Sequence, residues 1–187
     1  MKKISPRSSL LEEVPYKNFE LVRTRRSKLF SIPRKILPAQ KYYAIEVLEG
    51  NKLDEEHFTY FAGDNSAYVA ILMSSLFPIW VNAIDEKADE LNPEIHYNNF
   101  PFPKITRKQK TELDTASKYI FSARGKSEGN TLSDIYWKNE MSETLLFAHE
   151  RLDDLVLDIF GLPRDATNEE IADFLIKRWE ELTSRQS

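Results

Sequence analysis

His96-Tyr97-Asn98-Asn99-Phe100-Pro101-Phe102-Pro103 is the stretch on which the reading of this chain turns. Pro101 and Pro103 lack backbone donors and fix φ, so neither a helix nor a central strand passes through them. They separate two unlike halves and place a boundary near Lys104, with residues 1–104 as one unit and 105–187 as the other.

Left of the octapeptide, residues 19–22 and 28–32 are short apolar-basic runs around a polar turn, which suits a hairpin. Residues 41–48 alternate, with Tyr43, Ile45 and Val47 on one face, and read as a third strand. Residues 58–61 are a weaker fourth. Asp64 or Asn65 then caps an apolar helix over 67–83. Ser74, Ser75 and Asn82 interrupt its surface and its flanks are acidic, which suits a buried central helix rather than a membrane span. Pro78 would cost about 3 kcal/mol in a regular interior, so a bend or break is expected between Leu76 and Trp80, with Trp80 a core anchor.

Right of the octapeptide, Thr106 with Gln109 and Thr167 with Glu170 have the spacing of reciprocal helix caps. Leu113, Ala116, Ile120 and Ala123 mark one apolar stripe. Leu145, Ala148, Leu152, Leu155 and Ile159 mark another, and Ile171, Phe174, Leu175 and Leu182 a third. Gly161 reads as a left-handed cap followed by Pro163. With a short helix at Leu132–Trp137 these make a bundle, and residues 125–130 an exposed connector. The expected fold class is α+β: a small mixed or antiparallel sheet with one buried apolar helix, followed by an all-α C-terminal helical bundle.

Composition narrows the function. The chain has no cysteine, which excludes a disulfide framework and a thiolate metal site and fits a reducing cytoplasm. No apolar signal-peptide core follows Met1. Net charge is −4, yet Arg23, Arg25, Arg26, Lys28, Arg34 and Lys35 crowd residues 17–41 against the single acid Glu20. Such a patch suits one face of DNA. The plainer alternative is an edge strand guarded against aggregation.

Chemistry is conspicuous by absence. Methyl transfer to an adenine amine needs a Gly-rich cofactor cradle and a loop that holds the flipped base, and neither is in this sequence. Asp85-Glu86-Lys87 with Asp64 resembles half of a metal-dependent nuclease site, but these acids bracket an apolar helix instead of a bent hairpin. His57, His96 and His149 are widely spaced, and His149 suits a half-buried hydrogen-bonder. No catalytic residue and no metal ligand set is assigned.

The octapeptide in this setting resembles the MmeI-like family of fused restriction-modification enzymes, which are DNA adenine methyltransferases with an attached nuclease. In that family a Tyr-Asn-Asn-Phe-Pro-Trp-Pro type sequence closes the target recognition domain and a small helical domain follows. Tyr97, Asn98, Asn99, Phe100, Pro101 and Pro103 match, with Phe102 where Trp is usual. Arg23-Thr24-Arg25-Arg26 with Ile32-Pro33-Arg34 is similar to the family's basic strand pair, and Ala70-Ile71-Leu72 with Trp80 to its apolar helix. The family's Gly-Arg-Leu and Ser-Ser-Glu-Arg-Arg segments are replaced here by residues 84–88 and 36–40.

The resemblance implies residues 1–104 as part of a target recognition domain and 105–187 as the terminal helical domain. It implies phosphate contacts from Arg23, Arg25, Arg26, Arg34 and Lys35. Base contacts are expected from the loop of residues 85–92, through Asp85, Glu86, Lys87 and Asn92. Double-stranded DNA is the implied partner, together with the methyltransferase domain of the same enzyme or of a split-gene partner. S-adenosylmethionine and Mg²⁺ are implied for the parent enzyme and no cofactor for this chain. Self-association through an exposed basic edge is a further expectation. Two other readings remain: a freestanding helical interaction module and a small Mg²⁺-dependent nuclease.

Overall fold

The computed structural model describes residues 28–36, 40–47, 58–63, 66–125, 132–137 and 141–184. Three strands form an antiparallel sheet: β1 (Lys28–Pro33), β2 (Glu46–Val47) and β3 (Phe58–Gly63), in the order β2-β1-β3. The β1–β3 ladder runs from Lys28 opposite Gly63 to Pro33 opposite Phe58. The weakest strand signal thus supplies the longest pairing. Residues 19–22, the expected hairpin partner, lie outside the described residues. Among the described strands β1 is central, so its Lys28 end is not an edge there.

The alternation expected over residues 41–48 is replaced by a continuous buried run, Tyr42, Tyr43, Ala44 and Ile45, and only Glu46–Val47 pair as strand. Both sides of this run are covered. Tyr43 meets the edge of Phe77 at 5.7 Å between ring centroids, while Tyr42 stacks on His149 at 4.2 Å.

The single apolar helix is two: α1 (Ser66–Leu72) and α2 (Leu76–Ile84). The break falls at residues 73–75, ahead of the position expected from Pro78. There the Ser74 hydroxyl donates to the Ile71 carbonyl at 2.6 Å and the Ser75 N–H to Asp153 Oδ1 at 2.8 Å. Pro78 is the third residue of α2, where its missing donor has no intrahelical acceptor to lose. Trp80 is fully buried and donates its indole N–H to the His96 carbonyl at 2.8 Å.

A single π-helical turn, Pro93–Tyr97, leads into the octapeptide. Then come α3 (Arg107–Arg124), α4 (Leu132–Trp137), α5 (Glu143–Phe160) and α6 (Asn168–Ser184). Both expected capping boxes are present at α3 and α6. The connector 126–130 lies outside the described residues. α1 packs on α3 and α2 on α6, so the split apolar helix is shared with the bundle and one core cluster runs through both halves.

On α5 the buried face is Leu145, His149, Leu152, Val156 and Phe160, while Ala148, Leu155 and Ile159 are only partly covered. The expected stripe is therefore turned by one residue. His149, polar by type, occupies a core position.

Candidate nucleic-acid interface

Beyond β1 the chain continues to pair. The Ile36 N–H donates to the Asp89 carbonyl at 3.0 Å, the Leu91 N–H to the Arg34 carbonyl at 2.6 Å, and Lys35 sits opposite Glu90. This ladder joins two of the expected groups, the Arg34-Lys35 pair and the loop 85–92. Lys35 is exposed and Arg34 half-buried, and the Arg34 Nε finds no acceptor among the described residues. Arg23, Arg25 and Arg26 lie outside the described residues.

His96 holds both ends of the loop. Its Nδ1 accepts the Asn92 N–H at 2.9 Å, and its Nε2 faces Asp85 Oδ2 at 3.5 Å. Burial lowers the His96 pKa below its ordinary value, with Asp85 pulling the other way. An Nδ1 that accepts from backbone carries no proton, so the ring hydrogen sits on Nε2, toward Asp85. Asn92 Oδ1 caps the π-helical turn, accepting from Glu94 N at 3.0 Å and Ile95 N at 3.3 Å. Asp85 and Asn92 are thus braces of the loop as well as members of it. Glu86 and Lys87 are exposed. A carboxylate set there repels phosphate but can accept from the exocyclic amine of a base.

The octapeptide is interior. Residues 96–103 are all buried, and Phe100 meets the rings of Phe77, Trp80, Phe102 and Phe160 edge-on. Arg178 of α6 donates to the carbonyls of Pro101 at 2.9 Å and Phe102 at 3.2 Å. Tyr97, Asn98, Asn99, Phe100, Pro101 and Pro103 therefore sit where a rivet between halves would sit.

A second buried cluster lies between sheet and bundle. Arg124 donates from Nε to the Tyr136 hydroxyl at 2.7 Å and from a terminal nitrogen to the Ile45 carbonyl. Having accepted from Arg124, Tyr136 donates its own proton to His149 Nε2 at 2.7 Å. Burial, followed by the Arg124 charge, pushes the His149 pKa down to about 3. Tyr42 donates to Asp153 Oδ2 at 2.9 Å, and burial raises the Asp153 pKa against its hydrogen bonds from Ser75 and Tyr42. Tyr42, Tyr136 and His149 are buried, while Arg124 and Asp153 are half-buried at the margin of the cluster.

No group of three or more His, Asp or Glu side chains among the described residues could hold a metal ion. Asp64 lies outside them. No helix among them is long and apolar enough to cross a membrane. On the outer face of the bundle, α3 and α5 enclose a groove of about 730 Å³. Tyr119 (68% exposed) and Phe147 (63% exposed) stand on it.

Sequence reasoning gave His96 and Arg178 no role. Asn92 followed by Pro93 was the available signal for the first, since a cap residue before Pro marks a helical start. Arg178 left none.

Residues 105–186 match the family model for the C-terminal domain of MmeI. DNA methyltransferase A of Bacillus subtilis (strain 168) is 30% identical over 149 residues, covering 78% of this chain and 17% of that protein. The solved structure of the type IIL restriction-modification enzyme MmeI in complex with DNA is similar with a TM-score of 0.77 and 21% identity, covering 84% of this chain and 22% of that one. The chain therefore spans only a minor part of these relatives' lengths. The matched terminal domain and the Bacillus relative place it in the MmeI-like family, as a C-terminal region, and the solved structure shows the same fold.

Proposed function

We propose that this chain is the DNA-gripping C-terminal part of a site-specific DNA adenine-N6 methyltransferase of the fused restriction-modification type. It holds a duplex for catalytic machinery encoded elsewhere. The observation that carries this reading is the ladder that fixes Arg34 and Lys35 beside the loop 85–92, on a fold shared with an enzyme solved with DNA. Arg34 and Lys35, with Arg23, Arg25 and Arg26, contact phosphates and set register. Glu86 and Lys87 reach base edges, and Asp85 and Asn92 keep the loop in shape for them. S-adenosylmethionine and Mg²⁺ belong to the parent enzyme, whose methyltransferase domain, in the same polypeptide or a split-gene product, is the second partner. Such an enzyme works in the cytoplasm.

The test is binding of a labelled duplex to the full chain across a salt series. Affinity that falls steeply with salt, and falls further in Arg25→Ala/Arg26→Ala and Arg34→Ala/Lys35→Ala, supports the proposal. Salt-insensitive binding overturns it. Cleavage of DNA with Mg²⁺, abolished by Lys87→Ala, moves the function to the nuclease reading.

One observation favours a second role. The groove between α3 and α5, with its exposed Tyr119 and Phe147, has the form that accepts an amphipathic helix. Under that reading the bundle docks a partner protein, and Phe147→Asp abolishes the docking while leaving DNA affinity intact.

A further inference from the structure

The chain has no Asp or Glu between Glu94 and Glu112, and in that interval it places Lys104, Arg107, Lys108 and Lys110. On a protein with net charge −4 this is a local reversal of sign. Lys104, Arg107 and Lys108 are exposed. Lys108 has Glu112 at 3.7 Å, a solvent-facing pair one turn on. Such a pair is too weak to bind up the charge.

Helix stability does not account for these cations. Positive side chains in a first turn oppose the helix dipole, and the first turn of α3 has no acid. Nor are the helix's own donors involved. Thr106 Oγ1 takes the Gln109 N–H at 3.3 Å and Gln109 Oε1 takes the Thr106 N–H at 2.8 Å, so the cap is closed on itself. What remains is an array of side chains on a rigid mount. Arg178 pins Pro101 and Phe102 just before it, and Leu113, fully buried, anchors α3 just after it.

We infer that Lys104, Arg107 and Lys108 form a second phosphate-contacting surface, carried by the helical domain, which grips the backbone of duplex DNA without reading its sequence. The inference rests on the DNA-binding reading above. A rigid cation array suits a regular row of phosphates: Arg107 and Lys108 are neighbours on the first turn of α3, and Lys104 lies three residues ahead of Arg107. Each DNA strand carries a phosphate about every 3.4 Å of axis. The helical domain then adds affinity and the loop 85–92 adds choice of site.

The experiment compares the full chain with Lys104→Ala/Arg107→Ala/Lys108→Ala on a labelled duplex between low and moderate salt. The three sites are exposed and leave the Thr106–Gln109 cap in place, and Arg164→Ala, whose guanidinium is held by Asp158, serves as the control for charge loss elsewhere. The expected result is a weaker complex whose slope of log K against log salt is shallower by about 2 to 3, one unit per lost contact. The thermal midpoint should not fall, since the lost cations oppose the helix dipole, and Arg164→Ala should match the parent in DNA affinity. A triple variant with the parent's affinity and slope overturns the inference and leaves the DNA-binding reading standing. A parent chain that shows no salt-dependent binding overturns both. Competition by poly-glutamate as strong as by unlabelled duplex overturns DNA as the partner of this surface.

Discussion

Trp179 donates its indole N–H to the side-chain oxygen of Asn99 at 3.1 Å, tying the last helix to the middle of the octapeptide. The Asn99 amide donates in turn to the carbonyls of Glu94 at 3.1 Å and Ile95 at 2.9 Å. Asn99 is completely buried. Asn99→Ala strands two carbonyls and one indole donor and should cost about 2 to 4 kcal/mol in urea denaturation. Asn99→Asp should be at least as damaging, because its carboxylate faces those same carbonyls. A midpoint equal to the parent's for either variant would show that the rivet carries no load.

His149 gives the fold a pH dependence with a definite sign. Its folded pKa of about 3 lies below the ordinary value of 6.5, so the fold prefers the neutral ring. The resulting stability is fully present above pH 6.5 and is lost as pH falls toward 3, at up to about 1.4 kcal/mol per pH unit. Asp153 works oppositely. Its raised pKa means the fold favours the protonated carboxyl, so acidification through its folded pKa relieves a cost and partly offsets the loss. Unfolding free energy measured from pH 7 to pH 4 should decline, and His149→Gln should flatten that decline whatever its effect at pH 7. An equal slope in both proteins would remove His149 as the cause.

Pro78→Ala should change stability by less than about 0.5 kcal/mol, the range of ordinary neutral substitutions. At the third position of α2 the proline forfeits no hydrogen bond, and the α1–α2 break is held by Ser74 and Asp153. Asp153→Ala should instead cost about 1 to 3 kcal/mol by leaving the Ser75 N–H and the Tyr42 hydroxyl unpaired. A large gain in stability from Pro78→Ala would mean that the proline, and not Asp153, imposes the break.

What the sequence disclosed and what it hid follow a physical line. Local signals held: Thr106 with Gln109, Thr167 with Glu170 and Gly161 each act within one turn, and each lies where its spacing placed it. Pro78 misled because a proline's cost depends on its position in a helix, which a pattern alone does not give. The stripe on α5 was misplaced by one residue because His149 is polar by type yet fully buried, with Tyr136 from another helix bonded to its Nε2. The same distance in sequence concealed the candidate interface. Arg34 and Lys35 meet residues 89–91 through backbone bonds, which any side chains can make and no motif announces.

Gly161 closes α5 with φ of +76°. Its N–H reaches the Asp158 carbonyl at 3.2 Å, and the Leu162 N–H reaches back to the Leu157 carbonyl at 2.9 Å, which is the paired pattern of a left-handed helix end. Nothing lies within 4 Å of where a Cβ would sit, so Gly161→Ala tests backbone preference alone. It should cost about 1 kcal/mol, with Gly161→Asn recovering part of that, since Asn tolerates the left-handed region better than Ala. The consequence extends beyond α5, because this turn sets the angle at which α6 returns to place Trp179 and Arg178 on the octapeptide. Hydrogen exchange at residues 99–102 should therefore quicken in Gly161→Ala. A variant with lower stability but unchanged exchange there would confine the turn's role to its own helix end.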